Sequence, residues 1–361
     1  MFMKLIKVFI ALVVISGLAL SASFVWYSKS LEQVLPISEP FVYEVERGSS
    51  TSAVIQDLQA LNILEPPLQL VAKLHVRHQS LGTRLKAGEF RLEPGLTIQS
   101  LFALLSSTKH VRYKVTFVEG STFAEARLAI ESVPEIKNTL EGVSDQEVLN
   151  RLKEIHIKTD TEESLALNFS HPEGSIYPDT YFFLKGETDL SILSRAHARL
   201  RAVLLDEWRK KQSKLPIMSP YEALILASIV EKETGQPSER EEIAGVFIRR
   251  LNKGMRLQTD PTVIYGLGSR YNGNITRKHL RDYTPYNTYR INGLPPTPIA
   301  LAGREAIYAA LNPKPGKTLY FVARGDGSHA FSETIHQHNK AVREFQLRRK
   351  SDYRSAPKRS N

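Results

Sequence analysis

The chain has 361 residues, 42% of them apolar, no cysteine and a formal charge of +10. This is enough apolar material for one large core or two modest ones, and the missing cysteine excludes disulfides and thiolate zinc sites. The positive charge suits nucleic acid, an anionic membrane surface or an acidic polymer, and does not choose among them.

The first element follows from hydropathy. Lys4 and Lys7 precede an uncharged run, Val8 to Trp26 ("VFIALVVISGLALSASFVW"), close to the roughly 20 residues with which a helix crosses a bilayer. Trp26 and Tyr27 stand where interfacial aromatics anchor a span. The lysines before it put the N-terminus in the cytoplasm and the remainder outside, which argues against nucleic acid as a partner. The small residues of "LALSAS" would also suit a signal peptidase, but the length of the run favours a retained anchor over residues 1–27.

Residues 28–40 read as a short linker. A phrase then recurs: a strand-like run, a glycine, a hydroxyl cap and an amphipathic helix. "FVYEV" at Phe41 leads to "RGSSTSAVIQDLQAL", "GEFRL" at Gly88 to "PGLTIQSLFALLSS", and "YKVTFV" at Tyr113 to "EGSTFAEARLAIES". In each, the hydroxyl can accept from the first free helix amides. Such short units must pack on one another to hide their apolar faces. The first two, residues 41–112, are expected to form a small α/β module that resembles the LysM type of glycan-binding domain. A packing module without a ligand fits the same pattern.

From about Glu125 to Asp160 the chain reads as charged helix, and Leu190 to Lys211 as a basic amphipathic helix with a solvated face. Between them, "HPEGSIYPDTYFF" (His171–Phe183) brings prolines, aromatics and acids into one loop. Sugars are held by such sets, ring faces against sugar faces and carboxylates against hydroxyls. Turn chemistry alone also accounts for Pro172, Gly174 and Pro178.

"SPYEALILASIVEKETG" (Ser219–Gly235) is a punctuated helix: Ser219 as cap, Pro220 at the first helical position, Glu222 at capping-box spacing and Gly235 as the stop. It ends in Glu231 and Glu233. Residues two apart on a helix point about 200° from each other, so the two carboxyls cannot serve one cleft. An acid at the end of an apolar helix is desolvated, which raises its pKa as a general acid requires. A plain exposed terminus fits the same letters, although an acid at the negative end of the helix dipole is mildly unfavourable there.

A second helix follows from Ser238 and stops at Gly254. Then comes "MRLQTDPTVIYG", dense in groove-type side chains: Gln258, Thr259, Asp260, Thr262 and Tyr265. "YNTYRINGLPPTPIALAG" (Tyr286–Gly303) and "LYFVARGDGSHAFSETIHQHNKAV" (Leu319–Val342) are polar-aromatic loops beside short apolar strands. No phosphate-binding glycine loop and no serine elbow occurs, and His329, His336 and His338 lack zinc-protease spacing, so no metal or other cofactor is expected.

"ASIVEKETG", "SEREEIAGVFIRRLNKGMRLQTDPTVIYGLG", "YNTYRINGLPPTPIALAG" and "LYFVARGDGSHAFSETIHQHN", in this order behind an anchor, resemble the endolytic murein transglycosylases, the YceG-like family. The resemblance spans the chain from the anchor to about Phe345. It implies a lyase that cuts nascent peptidoglycan strands between MurNAc and GlcNAc and leaves 1,6-anhydro-MurNAc ends. It also implies Glu233 as the catalytic acid and base, with Glu231 the second choice. Glu173, Gln258, Thr259, Asp260, Tyr286 and Asn287 are expected to line the groove. An ordinary retaining glycosidase needs a second carboxylate about 5–5.5 Å from the acid. A lytic enzyme does not, since the sugar's own 6-hydroxyl attacks C1.

The expected architecture is therefore α+β. An N-terminal transmembrane helix and the LysM-like module precede a larger mixed α+β catalytic domain over residues 113–345 and a basic, disordered tail over 346–361. The expected setting is the inner membrane, with the catalytic domain in the periplasm, glycan strands as substrate and peptidoglycan synthases as partners. A membrane-tethered glycan-binding scaffold without turnover is the alternative.

Overall fold

The structure, a computed structural model, describes residues 2–79, 85–157 and 167–347. It divides into two compact units, Met1–Tyr113 and Lys114–Asn361. Helix and strand are mixed, and among the described residues the strands form three two-stranded sheets.

The first unit opens with helix α1 (Phe2–Glu32), whose most apolar 18-residue window has a mean hydropathy of 2.5 and no buried residue. It is long and apolar enough to cross a membrane. At Tyr27 its character changes: Tyr27 and Leu31 pack on the unit's core and Ser30 is buried. Leu35 and Ile37 enter that core as well, and the Leu35 amide donates to the Leu96 carbonyl at 2.8 Å. The expected linker over 28–40 is thus corrected. Leu31, Leu35 and Ile37 are drawn in by the apolar surface they bury, and α1 continues unbroken as far as Glu32.

Strand β1 (Phe41–Val45) pairs antiparallel with β2 (Gly88–Leu92), Phe41 opposite Leu92 and Val45 opposite Gly88. Their inward side chains, Tyr43, Val45, Phe90 and Leu92, cover α2 (Thr51–Ala60), α3 (Pro66–His78) and α4 (Ile98–Leu105) in one core. The recurring phrase has the expected form. Ser50 accepts from the Ala53 amide, while Thr97 with Ser100 and Thr122 with Glu125 form reciprocal capping boxes. The glycines before these caps, Gly48, Gly95 and Gly120, have φ of 85°, 90° and 76°, a region that other residues enter at a cost. The phrase omitted α3, which starts on Pro66 with fixed φ and no side-chain cap.

In the second unit β3 (Tyr113–Thr116) pairs with β4 (Thr180–Phe183). Helices α5 (Phe123–Glu131), α6 (Asp145–Ile157) and α7 (Asp189–Arg209) surround them in sequence. The central element is α8 (Pro220–Glu233), in which every residue from Ala223 to Val230 is buried. It packs against α7, α9 (Arg240–Asn252), α10 (Asp260–Leu267) and α12 (Arg304–Leu311), with the short α11 (Arg277–Arg281) between the last two in sequence. A hairpin of β5 (Tyr320–Ala323) and β6 (His329–Ser332), then α13 (Ile335–Val342), close the unit. Burial on every side explains why α8 has no polar face until its last turn. Its one polar core residue, Ser228, donates to the Ile225 carbonyl at 2.7 Å and accepts from the Ile299 amide at 3.0 Å. At the start of α8 the Glu222 carboxylate reaches the Met218 amide at 2.6 Å, one residue earlier than a capping box requires. The expected basic tail lies outside the described residues from position 348 on, as do the last three residues of the expected helical stretch before Asp160.

The first turn of α7 carries a side chain of large structural effect. Asp189, 4% exposed, accepts from the Thr139 and Leu140 amides at 2.8 and 2.9 Å and from the Thr139 hydroxyl at 2.5 Å. Asp189→Ala leaves these donors dry, so urea denaturation is expected to show a loss of about 3 kcal/mol.

Candidate active site

Glu233 is the last residue of α8, and Thr234 breaks the helix with an extended backbone at φ −144°. The carboxylate accepts a hydrogen bond from the Thr259 hydroxyl. Thr259, 2% exposed, sits just before α10 and is fixed by other threonines. Its amide donates to Thr288 Oγ1 at 3.0 Å, and its carbonyl accepts from the Thr262 hydroxyl at 2.8 Å. The preceding residue, Gln258, takes the left-handed conformation at φ 51°, held by its amide on the Thr288 carbonyl at 3.2 Å. This turn exposes Gln258 and Asp260 on either side of the buried Thr259. The Asp260 carboxylate accepts from the Tyr289 hydroxyl at 2.7 Å.

Arg250, 7% exposed, supports the turn from α9. Its Nε donates to the Leu319 carbonyl at 2.7 Å and its Nη1 to the Leu257 carbonyl at 2.6 Å, while the guanidinium lies 5.1 Å over the Tyr320 ring. Burial of Glu233 pushes its carboxyl from the ordinary 4.5 up to about 7. The Thr259 hydrogen bond and the Arg250 charge pull the other way, and the Asp260 charge adds to the rise. Glu233 as a whole is half-buried, and its carboxyl is desolvated. Near neutral pH it is poised to give and take a proton.

Glu231 has different surroundings. Its carboxylate accepts from the Gly303 amide at 3.0 Å and lies 3.5 Å from the Arg240 guanidinium, with 6% of the side chain exposed. Burial raises its pKa too. The opposed directions expected from helix geometry are present, and Glu231 ties the end of α8 to the start of α12.

A cleft of about 930 Å³ lies beside Lys232, lined by Phe123, His171, Glu173, Tyr265, Tyr271 and Tyr286 among others. Glu233 is not part of its lining. Glu173, 4% exposed, accepts from the Phe123 and Gly174 amides at 2.9 and 3.2 Å, and burial pushes it to about 7. Tyr286 meets Tyr265 edge to face at 4.9 Å and shares a 2.8 Å hydrogen bond with Thr297. Asn287 is corrected as a substrate contact. Only 1% exposed, it donates to the His279, Leu280 and Asp282 carbonyls and accepts from the Tyr289 amide, so its whole amide is spent on the loop.

The structure thus brings Gln258, Thr259 and Asp260 together with Glu233, and puts Glu173 and Tyr286 in the adjoining cleft. Sequence reading missed Arg250, hidden in the helical "FIRRLN", and Thr288 and Tyr289 inside a phrase noted only for its first two residues. Arg250 shares the end of its helix with Arg249, and only its burial sets it apart, so the letters alone carried no signal for it.

Comparison with known proteins gives the family of the chain. The model of the YceG-like family matches residues 43–344. A protein named endolytic murein transglycosylase from Bacillus subtilis (strain 168) is 30% identical over 333 residues, 91% of each chain. One of the same name from Streptococcus pneumoniae serotype 2 is 25% identical over 92% of this chain and 64% of its own length. The crystal structure of a yceG-like protein from Listeria monocytogenes, 31% identical, superposes with a TM-score of 0.55 over 84% of this chain and 99% of its own. The chain belongs to the YceG-like family.

Proposed function

We propose that the protein is an endolytic peptidoglycan transglycosylase in which Glu233 is the only acid and base. The observation that carries this reading is a carboxyl that burial pushes up to about 7, on a half-buried residue at the end of a buried helix, steadied by Thr259. Protonated Glu233 gives its proton to the GlcNAc oxygen as the bond to C1 of MurNAc breaks. The resulting carboxylate then takes the proton of the MurNAc 6-hydroxyl as O6 closes on C1. The proton lost in the first step is regained in the second, and no water is consumed. Arg250 offsets the negative charge that Glu233 carries between the steps, and Gln258, Asp260, Glu173 and Tyr286 are offered as substrate contacts.

In the same reading α1 holds the protein in the cytoplasmic membrane, with residues 113–345 acting as the catalytic domain on the periplasmic side. The antiparallel pair around α2 and α3 supports residues 41–112 as a LysM-like glycan-binding module, and synthases that make new strands are the natural partners.

Digestion of purified, uncrosslinked peptidoglycan by the full-length protein, followed by mass spectrometry, tests the reaction. New 1,6-anhydro-MurNAc ends within strands are expected. Reducing MurNAc ends would instead make the enzyme a hydrolase, with Asp260 the nearby second carboxylate. Glycan binding without any new end would support the scaffold alternative.

A further inference from the structure

We propose that the outer face of α3 is a contact surface for anionic phospholipid headgroups, beside the point where α1 leaves the bilayer. The inference rests on the anchor reading above and extends it. Residues 2–26 of α1 are all exposed, and its packing on the first unit begins at Tyr27, immediately after the apolar run. The helix is unbroken there, so no spacer lifts the unit clear of the membrane. From Tyr27 to its end at Glu32, α1 rises roughly 8 Å, and it packs against α3 and α4. The headgroup layer is about 5–7 Å deep on each side of the hydrocarbon. Helix α3 therefore joins α1 at headgroup depth.

The outward side of α3 suits that layer. Its buried side carries Leu68, Val71, Ala72, His75 and Val76. On the opposite side Leu70, Lys73, Leu74 and Arg77 recur at helical spacing and form one stripe. Leu70 and Leu74 are 54% and 47% exposed, and both cations are exposed with them. Scattered exposed leucines are ordinary on a protein surface. Here two of them share a stripe with two cations, on a helix that holds no acid and packs on the end of the span.

This composition is that of an interfacial helix face. The leucines can enter the boundary between headgroups and acyl chains while Lys73 and Arg77 extend along it to the phosphates. An anionic leaflet attracts both cations, so the contact should depend on lipid charge. A sugar fits the stripe poorly, because these four side chains offer neither an aromatic ring nor a carboxylate. With α1 as the first contact and α3 as the second, the unit would be held in one orientation on the membrane.

The chain has no cysteine, so single reporters can be placed in the full-length protein. Leu74→Cys is labelled with the fluorophore NBD and reconstituted, one protein per nanodisc, in phosphatidylglycerol doped with lipid spin-labelled at a shallow acyl carbon. Loss of at least about half of the emission is expected, since an interfacial helix face sits about 5–10 Å into the headgroup and acyl boundary. Quenching should be markedly weaker in phosphatidylcholine, and in phosphatidylglycerol once Lys73→Glu and Arg77→Glu are added. Emission at Leu74 that ignores the spin label would overturn the proposal. So would a change that appears only on adding glycan strands or a second copy of the protein to the disc. Leu70→Cys repeats the measurement if circular dichroism shows that the label at Leu74 disturbs the fold. Val14→Cys, within the apolar run, tests the anchor with a deep spin label. No quenching there would remove the anchor reading, whereas quenching at Val14 and not at Leu74 would remove only the α3 contact.

Discussion

Glu233→Gln is expected to abolish the release of 1,6-anhydro ends from purified peptidoglycan, a fall of at least about 10²-fold and up to about 10⁴-fold for loss of a general acid. Glutamine keeps the shape and can still accept from Thr259, so the circular dichroism spectrum should match that of the parent. Stability should move the other way. A carboxyl raised from 4.5 to about 7 in the folded state makes folding less favourable as pH rises through that window. The penalty at pH 8 is at most about 3 kcal/mol at about 1.4 kcal/mol per unit, less for the part of the group still in water. Glu233→Gln should therefore melt higher than the parent at pH 8 and show no such gain at pH 4. Activity of the parent enzyme should decline as pH rises through about 7, where the acid loses its proton. A variant that still produces anhydro ends at the parental rate would turn attention to Glu231, which its bonds to Gly303 and Arg240 mark as an anchor.

Arg250→Met should have the second largest effect, and on two readouts. The Leu257 and Leu319 carbonyls lose their donors in a buried setting, which should cost about 3–5 kcal/mol in denaturant unfolding. The Arg250 charge holds the Glu233 pKa down, so its removal should carry the alkaline limb of kcat/KM to higher pH. Arg250→Lys keeps the charge and loses the two-carbonyl grip, so it should lose stability while leaving the limb near its original pH. A purely structural Arg250 would leave the limb in place in both variants.

Much of the local structure was legible without coordinates. The three strand, glycine, cap and helix phrases have their expected form, because a hydroxyl three residues before a helical amide and a glycine at positive φ are local requirements. The divergence of Glu231 and Glu233 was legible for the same reason, since helix geometry alone sets it. The linker over 28–40 was misread because its polar letters hide Leu31, Leu35 and Ile37, whose burial depends on partners such as Leu96 far along the chain. Asn287 was misread because an amide in a loop can face a ligand or its own backbone, and only the folded loop decides which.

By itself, then, the sequence determined the apolar first helix, the capped units, the family and the pair of glutamates worth testing, all of which rest on spacing and composition. The tertiary structure alone decided that Glu233 meets Thr259 and the Arg250 field while Glu231 is tied to Gly303, and that the cleft belongs to Glu173 and not to Glu233. Proton affinity and accessibility depend on desolvation and on charges brought in from distant segments, and these exist only once the chain has folded.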